Sequence, residues 1–600
     1  MAINEKVRSE IDNAYKWSLE SIYENEQNWE ADYRYVEHQS KEFSGYNGKV
    51  LDSPDSLFKV TKLYLDIDRV LAKLYVYAYM RSDEDTSNTH YQTLKGKVEN
   101  LGTKVSEVSS FFEPELLKGN YDQILDYITM LPQLEEYKFF YEEIYRFKDY
   151  ILGEKEEKII SSLSKIFDNS NKTASLLRNS DLKFGTIVDE DNKEVVITNS
   201  NYSKYIESKN RDVRKQAFET MYKAYKDMKN TFAATLAGEV DGNVAMAKIR
   251  GYKDARFMSL YSSNVSPDIY DNLIKTINEN LDVLYKYYDL KKSVLKIEEL
   301  HLYDIYVDMI PANSKEYSFE EAKELVINSL EVLGEDYVTN LKKAFDEKWI
   351  DIYPNKGKKS GAYSWGCYDS KPFILLNYQE RLDDVSTLAH ELGHSMHSYY
   401  SRKNNEYQYS DYKIFVAEVA STVNELLLYK YMLNNSNDKN VKLTILNNML
   451  ELFKSTIYRQ TMFAEFEMLI HEKSSNDEVL THELMSDIYY ELNKKYFGNN
   501  VVVDDEIRYE WSRIPHFYKN FYVYQYATGL SAACHIVNNI LEGNGKTVDN
   551  YLEFLKTGGR DYPVELLKIA GVDMNNPQVI ESAIAMFNDT INEFIDLYNS

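Results

Sequence analysis

The residues best suited to chemistry form one short string, His390, Glu391, Leu392, Gly393 and His394. Histidines four residues apart lie about one turn apart on one face of a helix, so both imidazoles can bind a single metal ion. Glu391 is turned away from both rings, which suits a general base that acts on water activated by the metal. This H-E-x-x-H spacing therefore predicts a metal-dependent hydrolase, with zinc as the expected ion.

The string fits a helix whose apolar face points away from the two histidines. Four apolar residues at helical spacing form that face: Val385, Leu388, Leu392 and Met396. Asp384, or Asp383 before it, is the expected N-cap. Gly393 is a poor helix former, and its missing side chain would let another backbone approach closely. The alternative is a structural helix whose exposed face carries histidines.

A catalytic zinc ion takes three protein ligands and one water, so a third ligand is needed. His397 follows His390 by seven residues, about 10 Å along the helix axis, with His394 between them. Glu418 lies among small and apolar residues at helical spacing, and a charge in such surroundings needs a partner such as a metal. A surface acid on a half-buried helix is its alternative. Glu425, on the same face, is a candidate to orient a ligand histidine.

The segment before the helix predicted to carry His390 and His394 differs in composition from the rest of the chain. Glycines cluster at positions 357, 361 and 366, and a short apolar run follows within residues 373–378. We predict a glycine-rich loop and then a strand. The loop lacks the G-x-x-x-x-G-K-[ST] spacing, so phosphate binding is not favoured.

Composition limits the classes of protein to consider. The chain has 600 residues, long enough for more than one lobe, and carries 70 Lys and Arg against 96 Asp and Glu, a net charge of −26. Such a charge disfavours nucleic acids and anionic membranes as partners. With only ten prolines and 22 glycines, the chain has few helix breakers, which favours a mostly helical protein. Tyrosine is unusually frequent, with 53 residues.

The expected compartment is the cytoplasm. Cys367 and Cys534 are the only cysteines, too few for a disulfide framework, and free thiols favour reducing conditions. The N-terminal residues lack the apolar core of a secretory signal, and no apolar run is long enough to span a bilayer.

Two runs rich in β-forming residues, 183–188 and 194–198, flank a polar pentapeptide and predict a hairpin. We place a domain boundary just after it. Residues 1–200 are then an N-terminal helical lobe that ends in the hairpin, and residues 201–600 are the catalytic region. Ser266 followed by Pro267 predicts the start of a further helix.

Several ordered strings carry a family resemblance. They occupy residues 361–366, 372–378, 387–397, 415–425, 459–467, 514–518, 521–529 and 558–559. Together they resemble the thimet oligopeptidase family of zinc metallopeptidases, and most closely its oligoendopeptidase F branch. The likeness extends over roughly residues 200 to 590, with a looser match before them.

The resemblance implies a mainly α, two-lobed helical shell around a deep substrate channel, with a small β-sheet beside the zinc site. It implies one zinc ion per chain, bound by His390, His394 and Glu418, with Glu391 as the base. It also implies cleavage of internal peptide bonds in short, unfolded peptides within the channel.

The resemblance also suggests residues that stabilise the oxyanion. His516 matches a family histidine that binds substrate there. Tyr524 is the expected tyrosine. Relatives have a Tyr-x-x-Tyr pair, and if Tyr524 matches its second member, this chain departs from the pair by having Phe521 at the first position. Tyr522 and Tyr526 are held in reserve for this role and are expected to contact the substrate. Packing in the core is the alternative for each of these tyrosines.

Substrate binding is expected along the glycine-rich segment, with Gly361 and Tyr363 as contact residues. The predicted strand within 373–378 could pair with the peptide backbone as an added strand, which would tolerate many side chains.

Two other functions stay open. A carboxypeptidase or dipeptidyl carboxypeptidase could use the same zinc chemistry, but no fixed cation for a terminal carboxylate can be identified. A catalytically inactive peptide-binding protein would keep the fold and lack the metal. The sequence does not determine the oligomeric state.

Overall fold

The protein is described by a computed structural model over residues 6–310, 315–543 and 545–600. Its first helices are α1 (Glu26–Ser44), α2 (Pro54–Glu84), α3 (Thr89–Ser109), α4 (Phe112–Lys118), α5 (Tyr121–Met130), α6 (Lys138–Arg146), α7 (Glu154–Phe167), α8 (Asn169–Leu176), α9 (Tyr202–Ile206), α10 (Arg211–Asp227), α11 (Lys229–Arg250), α12 (Ala255–Tyr261), α13 (Pro267–Glu279) and α14 (Leu281–Leu295). The remaining helices are α15 (Phe319–Ser329), α16 (Glu335–Asp346), α17 (Leu382–Asn404), α18 (Ile414–Asn435), α19 (Lys439–Phe453), α20 (Arg459–Ser475), α21 (His482–Phe497), α22 (Tyr524–Leu541), α23 (Thr547–Thr557), α24 (Pro563–Ile569) and α25 (Gln578–Asn599). The predicted mainly α fold is confirmed.

The strands are short and form small sheets. They are β1 (Thr186–Val188), β2 (Glu194–Val196), β3 (Leu300–His301), β4 (Ile350–Asp351), β5 (Tyr363–Trp365), β6 (Phe373–Leu375) and β7 (Val501–Val502). Strands β1 and β2 pair antiparallel with Thr186 opposite Val196, which confirms the predicted hairpin. Strands β3 and β7 pair in parallel.

The third sheet has the order β4-β6-β5, with β6 in the middle. The predicted strand within 373–378 is therefore β6, and it already has a parallel partner in β4 and an antiparallel partner in β5. A central strand cannot accept another strand, so the hypothesis that this strand pairs with a peptide is wrong. Among the described residues, β4 and β5 are the two edge strands of this sheet, and the side of β5 opposite β6 has no paired strand.

Compactness divides the chain into two units, each built from three segments. Unit 1 comprises Met1–Asp149, Lys315–Tyr431 and Ile536–Gly571, and unit 2 comprises Tyr150–Ser314, Met432–His535 and Val572–Ser600. The boundary expected near residue 200 falls within the first segment of unit 2. The division into residues 1–200 and 201–600 therefore does not coincide with these units and stays a prediction.

Helix α17 lies in the interior of unit 1, where it packs against α15, α16, α23 and the strands β5 and β6. The predicted apolar stripe is completely buried, which confirms the assigned face: Val385, Leu388, Leu392 and Met396. The expected N-cap is wrong. The helix begins at Leu382 after the N-cap Arg381, and Asp384 acts from inside the first turn, where its carboxylate accepts the N–H of Arg381 at 2.9 Å.

Unit 2 shows what many of the tyrosines do. Glu510 is fully buried and accepts hydrogen bonds from Tyr222 at 2.8 Å and from Tyr489, while Arg459 pairs with it at 2.8 Å. Aromatic rings thus fill the core while their hydroxyls satisfy a buried charge. The helix start predicted at Ser266 and Pro267 is confirmed by α13.

Over residues 6–310, 315–543 and 545–600, no helix combines the length and apolar character needed to cross a bilayer.

Candidate active site

Three side chains from α17 and α18 converge in unit 1. The Nε2 atoms of His390 and His394 lie 3.3 and 3.4 Å from Oε2 of Glu418. One ligand atom from each residue lies within 4.8 Å of the other two. Ligand atoms about 2.0–2.1 Å from a tetrahedral zinc ion stand roughly 3.3 Å apart, so these three residues fit a zinc ion.

The close approach of α17 and α18 depends on Gly393. A Cβ at this position would lie only 2.5 Å from the Ala420 carbonyl oxygen and from Ser421 Cα. The neighbouring contact is a hydrogen bond from the Asn424 amide to the carbonyl of Ala389 at 3.3 Å. The predicted close backbone approach is confirmed, and it brings Glu418 within reach of the histidines.

A carboxylate holds the other side of the first ligand ring. His390 Nδ1 lies 3.3 Å from Glu425 Oε2. Ser386 and Tyr429 donate to the other oxygen of Glu425 at 2.9 and 3.2 Å. This arrangement fixes the ring so that Nε2 points towards Glu418. Sequence reasoning missed Ser386 and Tyr429, although Tyr429 follows Glu425 by four residues, which is the spacing of helix neighbours.

The pKa values of His390 and Glu418 are strongly shifted in opposite directions. Burial opposes the charged form of His390, yet hydrogen bonds to Glu418 and Glu425 raise its pKa to about 10. Burial likewise opposes ionisation of Glu418, but its hydrogen bonds from His390 and His394 hold its pKa well below the usual range. The cluster therefore stabilises positive charge between two carboxylates, as a cation site must.

Glu391 lies next to the edge strand β5. Its side chain is almost completely buried, and burial raises the pKa of the carboxyl above its usual range, although positive charge on His390 and His394 opposes the shift. The backbone N–H of Ser364 on β5 also hydrogen bonds to it. The hydroxyls of Ser364 and Ser395 are 2.8 Å apart and hold β5 against α17. A raised pKa suits a group that must both accept and return a proton near neutral pH.

His397 does not join the metal ligands. Its ring is buried and stacks on Tyr412 at 3.6 Å between centroids, with Phe554 of α23 at 5.1 Å. Burial lowers its pKa to about 3, so the ring is neutral. His397 is thus a packing residue between α17 and α23, and Glu418 takes the third position in the cluster.

The expected substrate-contact residues flank the start of β5. Gly361 is exposed with φ of +84°, and its carbonyl accepts the Asn377 amide at 2.8 Å. Tyr363 is half-buried, and its hydroxyl donates to Asp83 at 2.8 Å. Burial and Asp83 raise the pKa of Tyr363, so the phenol stays neutral. Asp83, which sequence reasoning missed, fixes this tyrosine and leaves the hydroxyl committed.

A second polar and aromatic cluster lies in unit 2. The His516 ring is parallel to Tyr522 at 6.1 Å and edge-on to Tyr526 at 6.0 Å, and the two tyrosine rings are 5.3 Å apart. All three side chains are half-buried, and burial together with Lys519 lowers the pKa of His516. The imidazole is therefore neutral at pH 7, with one N–H to donate.

The structure places Tyr524 away from this cluster. Its side chain is only 2% exposed and packs against Tyr270 with ring centroids 5.1 Å apart. Helix α22 begins at Tyr524, so residues two apart point in different directions. Of the three tyrosines that sequence reasoning considered, Tyr522 and Tyr526 accompany His516, and Tyr524 belongs to the core.

Comparison with known proteins agrees with this geometry. The model of peptidase family M3 matches residues 204–586, and a second model, described as oligopeptidase F, matches residues 115–184. Oligopeptidase PepF of Bacillus subtilis is 44% identical over 590 residues, covering 98% of this chain and 88% of its own. Group B oligopeptidase PepB of Streptococcus agalactiae is 39% identical, covering 98% of both chains. The crystal structure of oligoendopeptidase-F from Enterococcus faecium superposes with a TM-score of 0.76 at 36% identity, covering 96% of this chain and 99% of that one.

Proposed function

Because the chain belongs to peptidase family M3 and is a metallopeptidase, we propose that it is a zinc-dependent oligoendopeptidase that cuts internal bonds of short, unfolded peptides. The observation that supports this most is the convergence of His390, His394 and Glu418, with Glu391 buried beside them. A peptide-binding protein without catalysis would have no need for this arrangement.

Zinc is the proposed metal because of the ligand set. Family membership implies a metal ion, and two imidazoles with one carboxylate are a donor set typical of catalytic zinc. When bound, zinc supplies Lewis acidity, which activates water near neutral pH and polarises a peptide carbonyl.

Glu391 carries the proton in this proposal. Its carboxylate accepts a proton from the attacking water and returns it to the amine of the leaving group. The raised pKa of this buried group favours that return. Glu425 acts through His390, whose ring it keeps oriented, and does not touch the substrate.

The edge of β5 is the proposed binding site for the peptide backbone. An extended peptide can add to this edge through main-chain hydrogen bonds, which are independent of side-chain identity. Ser364 on this strand touches Glu391, so a peptide added here would lie next to the base. Gly361 and Tyr363 would contact the same peptide.

His516 is the proposed hydrogen-bond donor to the developing oxyanion, assisted by Tyr526 or Tyr522. The neutral imidazole and the phenols are donors that do not require a change of charge during the reaction. The role expected for Tyr524 passes to these two tyrosines, because Tyr524 is buried against Tyr270.

The cytoplasm is the proposed compartment. Cys367 and Cys534 are both buried free thiols, and free thiols are typical of reducing surroundings. Fractionation of cells that make the protein, followed by detection with an antibody, tests this.

Mass spectrometry of a mixed peptide library tests the function. Incubation with the protein should produce internal fragments, a chelator should stop their formation, and added zinc should restore it. Peptides with amidated C-termini should be cut as well as free ones, whereas a carboxypeptidase would spare them. No cleavage by protein loaded with zinc would refute the proposal, and sequential loss of C-terminal residues would assign it to an exopeptidase.

A further inference from the structure

A hydrogen bond to one buried acid of α20 holds the turn between His516 and α22. Glu467 of α20 has no exposed surface, and its Oε1 accepts the backbone N–H of Phe521 at 2.8 Å. Phe521 lies in the middle of the turn, between His516 and Tyr526. Both partners of this hydrogen bond are buried, so it is protected from competition with water.

The backbone conformation at Phe521 is unfavourable, so the turn requires contacts that hold it in place. Its φ is +49°, in the left-handed region that residues other than glycine rarely adopt. Its ring is buried against His471 at 4.6 Å and Tyr270 at 5.7 Å. An unfavourable conformation persists only where surrounding contacts enforce it, and such residues are concentrated at functional sites.

Glu467 has no ion-pair partner in the part of the chain that the structure describes. Within the described residues, its second oxygen, Oε2, has no hydrogen-bond partner. Burial raises the pKa of this carboxyl well above its usual range, which favours the uncharged form. A neutral buried acid with one good hydrogen bond contributes little to stability compared with an apolar residue of the same shape. Its specific contribution is the position of the Phe521 N–H.

A second contact holds the same turn from another helix. Ser259 of α12 donates its hydroxyl to the carbonyl of Asn520 at 2.7 Å. The two consecutive residues Asn520 and Phe521 are thus held through a carbonyl and an N–H. The next residue along is Tyr522, whose ring lies parallel to that of His516.

We propose that Glu467 is a positioning residue for peptide hydrolysis: by holding the left-handed turn at Phe521, it sets the rings of His516, Tyr522 and Tyr526 in the arrangement that meets the substrate. This inference rests on the proposed function. It predicts that Glu467 acts on catalysis through these rings, and that an uncharged acceptor of the same size can replace it.

Three variants separate this role from packing. Glu467→Leu keeps the volume and removes the acceptor, and kcat should fall roughly tenfold to a hundredfold because a small displacement of catalytic groups is costly. Glu467→Gln keeps the size of the side chain and the acceptor oxygen without a charge, and should stay within about twofold of the wild type. The control is Glu465→Leu on the same helix, where the lost carboxylate pairs with Lys495 at 2.7 Å and the turn is untouched. It should lower stability and leave kcat unchanged.

A double-mutant cycle gives the sharpest answer. In a His516→Ala, Tyr522→Phe, Tyr526→Phe background, Glu467→Leu should change kcat by less than about twofold, because the imidazole and the hydroxyls it positions are gone. Wild-type kcat in folded Glu467→Leu protein, or an equal loss in both backgrounds, would overturn the inference. If Glu467→Leu does not fold, Ser259→Ala should show the same pattern with a smaller loss, and Ser262→Ala at the C-cap of α12 should not.

Deuterium exchange supplies a readout that does not depend on activity. The segment 516–526 should exchange faster in Glu467→Leu or Ser259→Ala, and at the wild-type rate in Glu467→Gln and Glu465→Leu. Unchanged exchange in this segment would overturn the inference by itself. Lack of metal-dependent cleavage by the wild-type protein would instead refute the proposed function.

Discussion

The raised pKa of His390 predicts a pH dependence of metal uptake. Its pKa of about 10 means that the ring is protonated at pH 7, whereas a ligand imidazole must be neutral. Metal binding should therefore release one proton from His390, and affinity should rise about tenfold per pH unit between pH 7 and 9. Calorimetric zinc titrations in buffers of different ionisation enthalpy measure the release. His397→Phe, which removes a neutral ring, should release the same number, and affinity independent of pH would contradict the prediction.

The base assignment predicts a variant that binds metal and does not turn over. Glu391→Gln keeps the size of the side chain and removes the group that accepts the proton. Its kcat should fall by about 10²- to 10⁴-fold, with metal content unchanged. The companion variant His394→Ala should lose the metal as well. Substantial hydrolysis by Glu391→Gln would require a different base.

Tyr524 and Tyr526 both lie in the first turn of α22, but removal of their hydroxyls should affect kcat differently. Tyr526→Phe should lower kcat roughly 10²-fold if its hydroxyl stabilises the oxyanion. Tyr524→Phe should leave kcat unchanged, because this tyrosine is buried against Tyr270. Steady-state kinetics on one internally quenched peptide compares the two, and the opposite ranking would restore the role first expected for Tyr524.

At this scale the sequence indicates the proposed metal ligands but does not distinguish the proposed oxyanion donors. His390 and His394 belong to one helix turn, so their spacing alone brings them together. The direction of Tyr522 depends on the left-handed turn at Phe521, which is held by a residue 54 positions earlier in the chain. No local pattern contains that hydrogen bond, so spacing could not distinguish Tyr522, Tyr524 and Tyr526.

Among the helices, the contact of α17 with α18 depends on one missing side chain. Gly393→Ala would place a methyl group 2.5 Å from the backbone of α18, which would push the two helices apart and move Glu418 away from the histidines. We expect a loss of roughly 2–4 kcal/mol in unfolding free energy and a marked loss of zinc affinity.

The matched control is Gly96→Ala in α3, where an added Cβ meets no atom within 4 Å. Alanine there should stabilise the protein by up to about 1 kcal/mol because it favours the helix. Urea unfolding and zinc titration of both variants measure the effects. Equal behaviour of the two alanines would show that the contact of α17 with α18 is not close.

The strand order of the β4-β6-β5 sheet could not be predicted from local sequence patterns. The apolar run at 373–378 identifies a strand, and β6 lies there. Its central place results from β4, which is only two residues long and carries no pattern of its own. The order of strands is a property of tertiary packing, so the sequence could not show that β6 is the central strand and β5 an edge strand.

Each unit carries one buried, uncharged histidine, which makes the whole molecule sensitive to acid. The pKa is lowered by burial to about 3 for His397 in unit 1 and to about 4 for His471 in unit 2. In the unfolded chain both titrate near 6.5. Below that pH the unfolded state binds more protons, so stability is lost as pH falls.

Between pH 7 and pH 5, each of these histidines should cost roughly 2 kcal/mol of unfolding free energy. Urea unfolding of the wild type and of His471→Phe at both pH values tests this, because contributions from other groups cancel in the comparison. The variant should lose about 2 kcal/mol less on acidification. An identical loss in both proteins would show that His471 is charged in the folded state.

The interleaving of the two units could not be predicted from the sequence. A linker rich in proline, glycine or charge would have marked a boundary between consecutive domains. Here each unit draws on three segments, and long helices such as α18 and α22 contain the points where the chain passes from one unit to the other. A crossing point within a regular helix leaves no compositional signal.

Helix α17, which carries His390 and His394, ends at Asn404, before one of the helices that pack against it has begun. His397 at its buried face packs against Phe554 of α23, a residue from the last tenth of the sequence. A chain synthesised only as far as the end of α17 therefore lacks α23, against which this helix packs. Because unit 1 also includes Ile536–Gly571, its complete assembly requires a chain that has been synthesised almost to its end.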